Sequence, residues 1–192
     1  MRIAPIPPDA MTAEQRELHD DMAPLIAEKL KGFVSSREDG ALVGPFAPML
    51  RFPAFGAAAW EQTKALIANA TLPPSVREVA ILKTGAANGA RYELYAHERV
   101  ARGTAGMDEA TVATLAAGER PTTLSDEEAI AYDVAAVLGE GRALPDTTYE
   151  RAVGAFGEEG TAELVFLIGS YQFISVLLNA FDVPVPGSGD DD

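Results

Sequence analysis

Between Leu72 and Gly106 the chain reads LPPSVREVAILKTGAANGARYELYAHERVARGTAG, and its punctuation leaves room for little except two helices folded back on each other. Pro73-Pro74 closes off whatever precedes. Ser75 and Glu78 have the spacing of a capping box, which predicts a helix start there. Val79, Ile81 and Leu82 carry its apolar face to Asn88-Gly89, a helix stop. A second helix is expected over roughly Ala90 to Arg102, ended by Gly103 and Gly106. If the Asn88-Gly89 turn makes the pair antiparallel, Glu78 lies near the far end of the second helix.

The flanking segments read as helical too. Residues Met1 to Ala10 are proline-rich and extended. Thr12 with Gln15 forms a capping box, followed by Leu18, Met22, Leu25, Ile26, Leu30 and Phe33 at helical spacing. His19 falls on the polar side and is expected in solvent. Val34 to Gly44 is a loop, Phe46 to Arg51 a short turn, and Pro53 to Ala70 a helix. The small residues Gly56 to Ala59 invite another helix to approach closely. Asp108 caps a short helix to Ala117, and Ser125 with Glu128 opens another to Leu138. Thr147 to Phe156 is a short helix ended by Gly157.

The last helix, Thr161 to Phe181, is apolar nearly all round, interrupted by Ser170, Gln172 and Asn179. It is shorter than a clean membrane span, so a core helix or half of a subunit interface is the better reading. No strand pattern, repeat or phosphate-binding glycine loop occurs. The expected fold is all-α, a helical bundle: one domain over 1–186 with an N-terminal extension, and a disordered acidic tail over 187–192.

The chain has 192 residues, a formal net charge of −14 and no cysteine. That charge repels phosphates, which argues against nucleic acid or a membrane surface as partner. Without cysteine there is no disulfide, thiolate metal site or thiol redox cycle. Nothing near Met1 reads as a signal peptide, and a cytoplasmic location is expected.

The chemically useful side chains concentrate in the central stretch. Glu93 and His97 stand four residues apart on one helical stripe, close enough for the carboxylate to fix the imidazole tautomer and favour its protonated form. That arrangement serves a general acid or base. An ordinary surface ion pair is the alternative, as capping is for Glu78. Arg77, Arg91 and Arg102 are candidates for holding a substrate carboxylate. With only two histidines and no paired Glu-x-x-His repeat, no metal site is expected.

The segment LPPSVREVAIL, the AANG turn, and Tyr92-Glu93-Leu-Tyr-Ala-His97-Glu98-x-x-Ala-x-x-Gly together resemble the carboxymuconolactone decarboxylase family, which includes the alkylhydroperoxidase D proteins. The opening RIAPIP, Gly44-Pro45 with Met49-Leu50, and the closing LNAFDVP extend the likeness. The resemblance implies an all-helical homo-oligomer, a trimer or hexamer. The redox branch carries Cys-x-x-Cys-x-x-x-His with an upstream glutamate. On this chain the histidine is His97 and the glutamate Glu78, but the cysteines fall on Ala90 and Glu93, which excludes thiol peroxidase chemistry.

The remaining branch works without a cofactor, on a small carboxylated or lactone-like substrate. By this resemblance His97 is the acid, Glu93 its orienting partner, and Glu78 a second proton-handling carboxylate. Arg91 or Arg77 anchors the anion, and Tyr92 and Tyr171 line the pocket. Leu94 stands where many members carry tryptophan, which alters the pocket shape. A hydrolase, isomerase or cyclase could use the same pair. A non-catalytic ligand-binding or assembly subunit is the competing class.

Overall fold

The computed structural model describes residues 1–187, and these form eight α-helices: α1 Ala13–Lys29, α2 Phe46–Arg51, α3 Pro53–Ala68, α4 Pro74–Ala87, α5 Arg91–Gly103, α6 Glu109–Ala116, α7 Asp126–Gly139 and α8 Asp146–Ala180. A single 3-10 turn, Pro8–Ala10, precedes them. Among the described residues there is no strand, only an isolated bridge between Ser36 and Leu42 inside the expected loop. The all-α expectation holds. The acidic residues 188–192 lie outside the described residues, while Gly187, expected in the tail, sits in a turn.

Side-chain capping sets three of the eight helix starts. The Thr12–Gln15 and Ser125–Glu128 boxes both form, and Asp108 accepts from the Thr111 amide at 2.9 Å. The third expected box, Ser75–Glu78, does not form. Pro74 opens α4 one residue earlier, with Pro73 as an N-cap that makes no side-chain bond. A proline in the first position already has a helical φ and lacks an amide to be capped. Ser75 is therefore inside the first turn, and Glu78 is released from capping. His19 also departs from expectation. Its side chain is only 12% exposed, with Nε2 3.3 Å from the Gly40 carbonyl oxygen.

Two clusters of buried side chains form the interior. One gathers Val76, Val79, Leu82, Val112, Leu115, Val134, Leu164 and Leu167 from α4, α6, α7 and α8. The other gathers Met22, Ile26, Phe46, Leu50, Trp60, Tyr92 and Leu178 around α1, α2 and α3. Trp60 is fully buried, and its indole donates to Asp21 Oδ2 at 2.8 Å, tying α3 to α1. The expected close approach at Gly56 is made by α2, because a Cβ there would stand 2.0 Å from the Met49 carbonyl oxygen.

Helix α8 spans both clusters. Gly157 breaks it with φ 70° and ψ 178°, so the two helices predicted on either side of that glycine are present, the second starting directly after it. By length and composition α8 is apolar enough to cross a membrane. Here its inner face fills the core, while Val165, Phe166, Phe173 and Val176 stay exposed. Its polar interruptions have definite tasks. Gln172 donates to the Leu138 carbonyl at 3.0 Å and Asn179 to the Asn88 carbonyl at 2.7 Å. The second of these clamps the turn between α4 and α5.

Candidate active site

The site is built where α4, α5 and α8 meet. Gly89 takes φ 61° in the turn after α4, and α5 packs back along α4 as the sequence predicts. Gly85 makes room for this contact, since a Cβ there would lie 3.2 Å from Glu93 Cγ and 3.4 Å from Leu94 Cδ2. Glu78 and Glu93 are 6% and 3% exposed, which is rare for carboxylates unless they are paired.

Their partner is His97. Its Nδ1 stands 2.8 Å from Glu78 Oε2, and its Nε2 stands 3.3 Å from Glu93 Oε1. The ring is thus held between two acids rather than on a solvated surface. The shorter contact belongs to Glu78, nineteen residues away, and the looser one to Glu93 on the same helix. Tyr171 of α8 meets the imidazole edge-on, with centroids 5.0 Å apart at 90°.

Burial and neighbouring charge tune these groups. Burial pushes the Glu93 carboxyl up to about 7; the Glu78 charge adds to this and His97 opposes it. For His97, burial disfavours the cation, but the charge and hydrogen bond of Glu78, helped by Glu93, outweigh it and raise the pKa. Burial, with the charges of Glu93 and Glu78, holds the Tyr171 hydroxyl well above its ordinary value, so it stays protonated.

In front of the cluster lies a cavity of about 190 Å³, bordered by Arg77, Glu78, Tyr92, Glu93, His97 and Tyr171. Phe46, Met49, Leu66, Ile81, Leu167 and Ile174 supply its apolar wall. A closed cavity of about 150 Å³ accepts benzene, so this space suits one small ring with substituents.

The three arginines expected to hold an anion are differently placed or employed. Arg91 is exposed at the start of α5 and does not border the cavity. The first turn of α5 directs positions 92 and 93 inward and 91 away. Arg77 does border the cavity, but its guanidinium pairs with Glu163 and donates to the Leu66 carbonyl at 3.2 Å. Glu163 also accepts from the Thr71 amide and hydroxyl and the Leu72 amide, at 2.8, 2.7 and 3.1 Å. These bonds and Arg77 lower its pKa although burial works the other way. Arg102 pairs with Glu98 at 3.4 Å. Tyr92 spends its hydroxyl on the Val34 carbonyl at 2.6 Å, so its contribution to the cavity is its ring.

Sequence reasoning missed Lys29 and Lys31, exposed lysines that border the cavity, and Glu163, whose side chain holds Arg77. Nothing local in the sequence signals any of them. Among the described residues no group of three or more acids and histidines converges as a metal site. The two carboxylates face opposite edges of the ring rather than one point.

Residues 53–145 match the model of the Carboxymuconolactone decarboxylase family. The matched span contains every site residue expected from the sequence except Tyr171. Two solved structures of the debrominase Bmp8 are similar. The apo form has a TM-score of 0.73 at 14% identity, covering 96% of this chain and 92% of that one. A cysteine-to-alanine variant in complex with 2,3,4-tribromopyrrole has a TM-score of 0.72 at 16% identity, covering 97% and 92%. An alkylhydroperoxidase AhpD core, an uncharacterized peroxidase-related protein from Ralstonia eutropha JMP134, has a TM-score of 0.75 at 14% identity, covering 97% and 92%. At these identities the likeness shows the fold. No curated protein matches the sequence.

Proposed function

We propose, from a chain whose segment 53–145 belongs to the carboxymuconolactone decarboxylase family, that this protein is a cofactor-independent acid–base enzyme. Its reaction is a proton transfer coupled to decarboxylation of a small carboxylated or lactone-like molecule. The observation that carries this reading is the imidazole of His97 held between Glu78 and Glu93 at the wall of a small, mainly apolar cavity. The absence of cysteine excludes thiol peroxidase chemistry.

The chemistry follows from the geometry. Glu78, at the tighter contact, orients the ring through Nδ1 and favours its charged form. The Nε2 end, facing Glu93 at 3.3 Å, is the looser one and the place where a proton can leave or enter. A carboxyl titrating near 7 beside it suits proton exchange at neutral pH. Loss of carbon dioxide leaves an electron pair in the conjugated substrate, a proton from the His97–Glu93 end forms the new C–H bond, and solvent returns one proton to the pair. With Arg77 committed to Glu163, Lys29 to Glu28 and Arg91 off the cavity, Lys31 is the cation we assign to the substrate carboxylate. Two acids bridged by one imidazole also suit an isomerase that moves a proton between two carbons of one substrate.

We further propose that the protein works as a homo-oligomer. Phe52, Phe55 and Phe173 are 45%, 81% and 44% exposed and border one apolar hollow between α3 and α8, an unusual concentration for a surface in water.

The test is carbon dioxide release from a panel of carboxylated lactones. His97→Gln should cut turnover by about a hundredfold while the helical content is unchanged. Full activity in that variant removes His97 as the proton donor.

A further inference from the structure

The face that α8 turns toward the cavity consists of Leu167, Ser170, Tyr171 and Ile174, positions separated as one stripe of a helix. A stripe aimed into an apolar interior normally carries apolar side chains. A hydroxyl placed there costs stability unless something bonds to it. The neighbouring polar residues of α8 meet that requirement within the protein. Gln172 bonds to the end of α7 and Asn179 to the turn after α4. Thr161 bonds to the Gly157 carbonyl at 2.7 Å. Ser170 and Tyr171 differ. Among the described residues no protein group accepts from or donates to either hydroxyl, and neither oxygen is sealed away from the cavity as Ser175 Oγ is sealed in the core. The other tyrosine of the wall, Tyr92, is already bonded to Val34.

We propose that the Tyr171 hydroxyl, with Ser170 beside it, is the donor that receives the carbonyl oxygen of the substrate and stabilises the enolate formed there. This rests on the acid–base reading of the cavity and requires that the substrate's carbonyl be conjugated to the carbon that loses its carboxylate. When the C–C bond to that carboxylate breaks, its electron pair moves through the conjugated system onto the carbonyl oxygen. Tyr171 donates a hydrogen bond to this oxygen and keeps its proton. The pair returns to carbon when the His97–Glu93 end supplies the proton for the C–H bond, and water restores that proton.

The surroundings favour a neutral donor in this place. Arg77 is neutralised by Glu163, so no unpaired guanidinium faces the reacting end. The hydroxyl stays protonated because burial and the two nearby carboxylates oppose its ionisation. Its ring is fixed by the edge-on contact with His97, which places donor and proton source on adjoining walls of one small space. Preorganised donors aimed at developing negative charge account for large rate factors in water-poor sites.

The test uses 4-nitrophenolate, a planar ring whose conjugated oxyanion imitates the enolate, with binding followed by its visible absorption. Tyr171→Phe retains the ring and its contact with His97, so folding is preserved and only the hydroxyl is lost. The full-length protein should bind the probe, and Tyr171→Phe should bind it about tenfold or more weakly, the scale of one hydrogen bond to a charged acceptor. On any lactone the enzyme turns over, the variant should lower kcat with KM little changed and leave the limbs of the pH profile in place. Equal affinity in the two proteins, or no binding to the wild type, overturns the donor assignment while the His97 test of turnover stands separately. Loss of affinity in Tyr171→Phe without turnover of any lactone would keep the donor and remove the decarboxylation.

Discussion

Glu78 and His97 stand nineteen residues apart in sequence and 2.8 Å apart in space, Oε2 to Nδ1, with both side chains largely buried. The contact joins two helices through their chemistry as well as their packing. Breaking it leaves a buried carboxylate without its partner. That makes it the natural origin of the pH behaviour expected of this protein.

Stability should fall as pH rises through neutrality. The Glu93 carboxyl has a folded pKa of about 7 against an ordinary 4.5, so the native state holds that proton more tightly than the unfolded chain. The resulting stabilisation is fully present below the ordinary value and is lost as pH climbs through the folded one. Over about 2.5 pH units it amounts to at most about 3 kcal/mol. His97, also raised, contributes in the same direction above its ordinary 6.5. Urea midpoints between about pH 5 and pH 8 should therefore decline for the wild type and flatten for Glu93→Gln. A midpoint that rises over that range contradicts the assignment.

Gly85→Ala should impair turnover more than stability. The added Cβ would lie 3.2 Å from Glu93 Cγ, so the Glu93 side chain has to shift by a few tenths of an ångström. Misplacement of a reacting group on that scale costs roughly tenfold in rate, while the alanine itself favours helix by about 0.5–1 kcal/mol. Steady-state rates beside thermal melts separate the two effects. Unchanged kcat would mean that the position of Glu93 does not matter.

Phe55→Asp should dissociate the proposed homo-oligomer. Phe55 is 81% exposed at the rim of the apolar hollow between α3 and α8, where a carboxylate would be costly to bury against another subunit. Light scattering on the column eluate should give a multiple of 20.3 kDa for the wild type and a smaller species for the variant. A monomeric wild type would contradict the oligomer.

Much of this was legible locally. Helical spacing of apolar residues and two true capping boxes located α1 and α7, and Asn88-Gly89 located the turn that brings Glu78 to His97. The third box misled because Ser75 and Glu78 have the right spacing, while Pro74 begins the helix without needing a cap. That error gave Glu78 a structural explanation it does not have. Arg77 illustrates another limit. Its partner Glu163 is eighty-six residues away on α8, and no local pattern foretells such a pair. Arg91 lies off the cavity because a one-residue step on a helix turns a side chain by about 100°, enough to take it away from the wall that Tyr92 and Glu93 join. Of the two cavity-facing hydroxyls of α8, Ser170 was visible in sequence as an interruption and Tyr171 as a residue expected to line the pocket; that neither bonds within the protein needed the packed neighbours to be seen.

The central claim is that His97 is held in a protonation state useful for catalysis by buried acids, and its most direct test is NMR titration of the imidazole. In the wild type the pKa should lie above the ordinary 6.5, and Glu78→Gln should bring it down, because the charge and hydrogen bond that outweigh burial are gone. An ordinary value that neither Glu78→Gln nor Glu93→Gln moves would contradict the account.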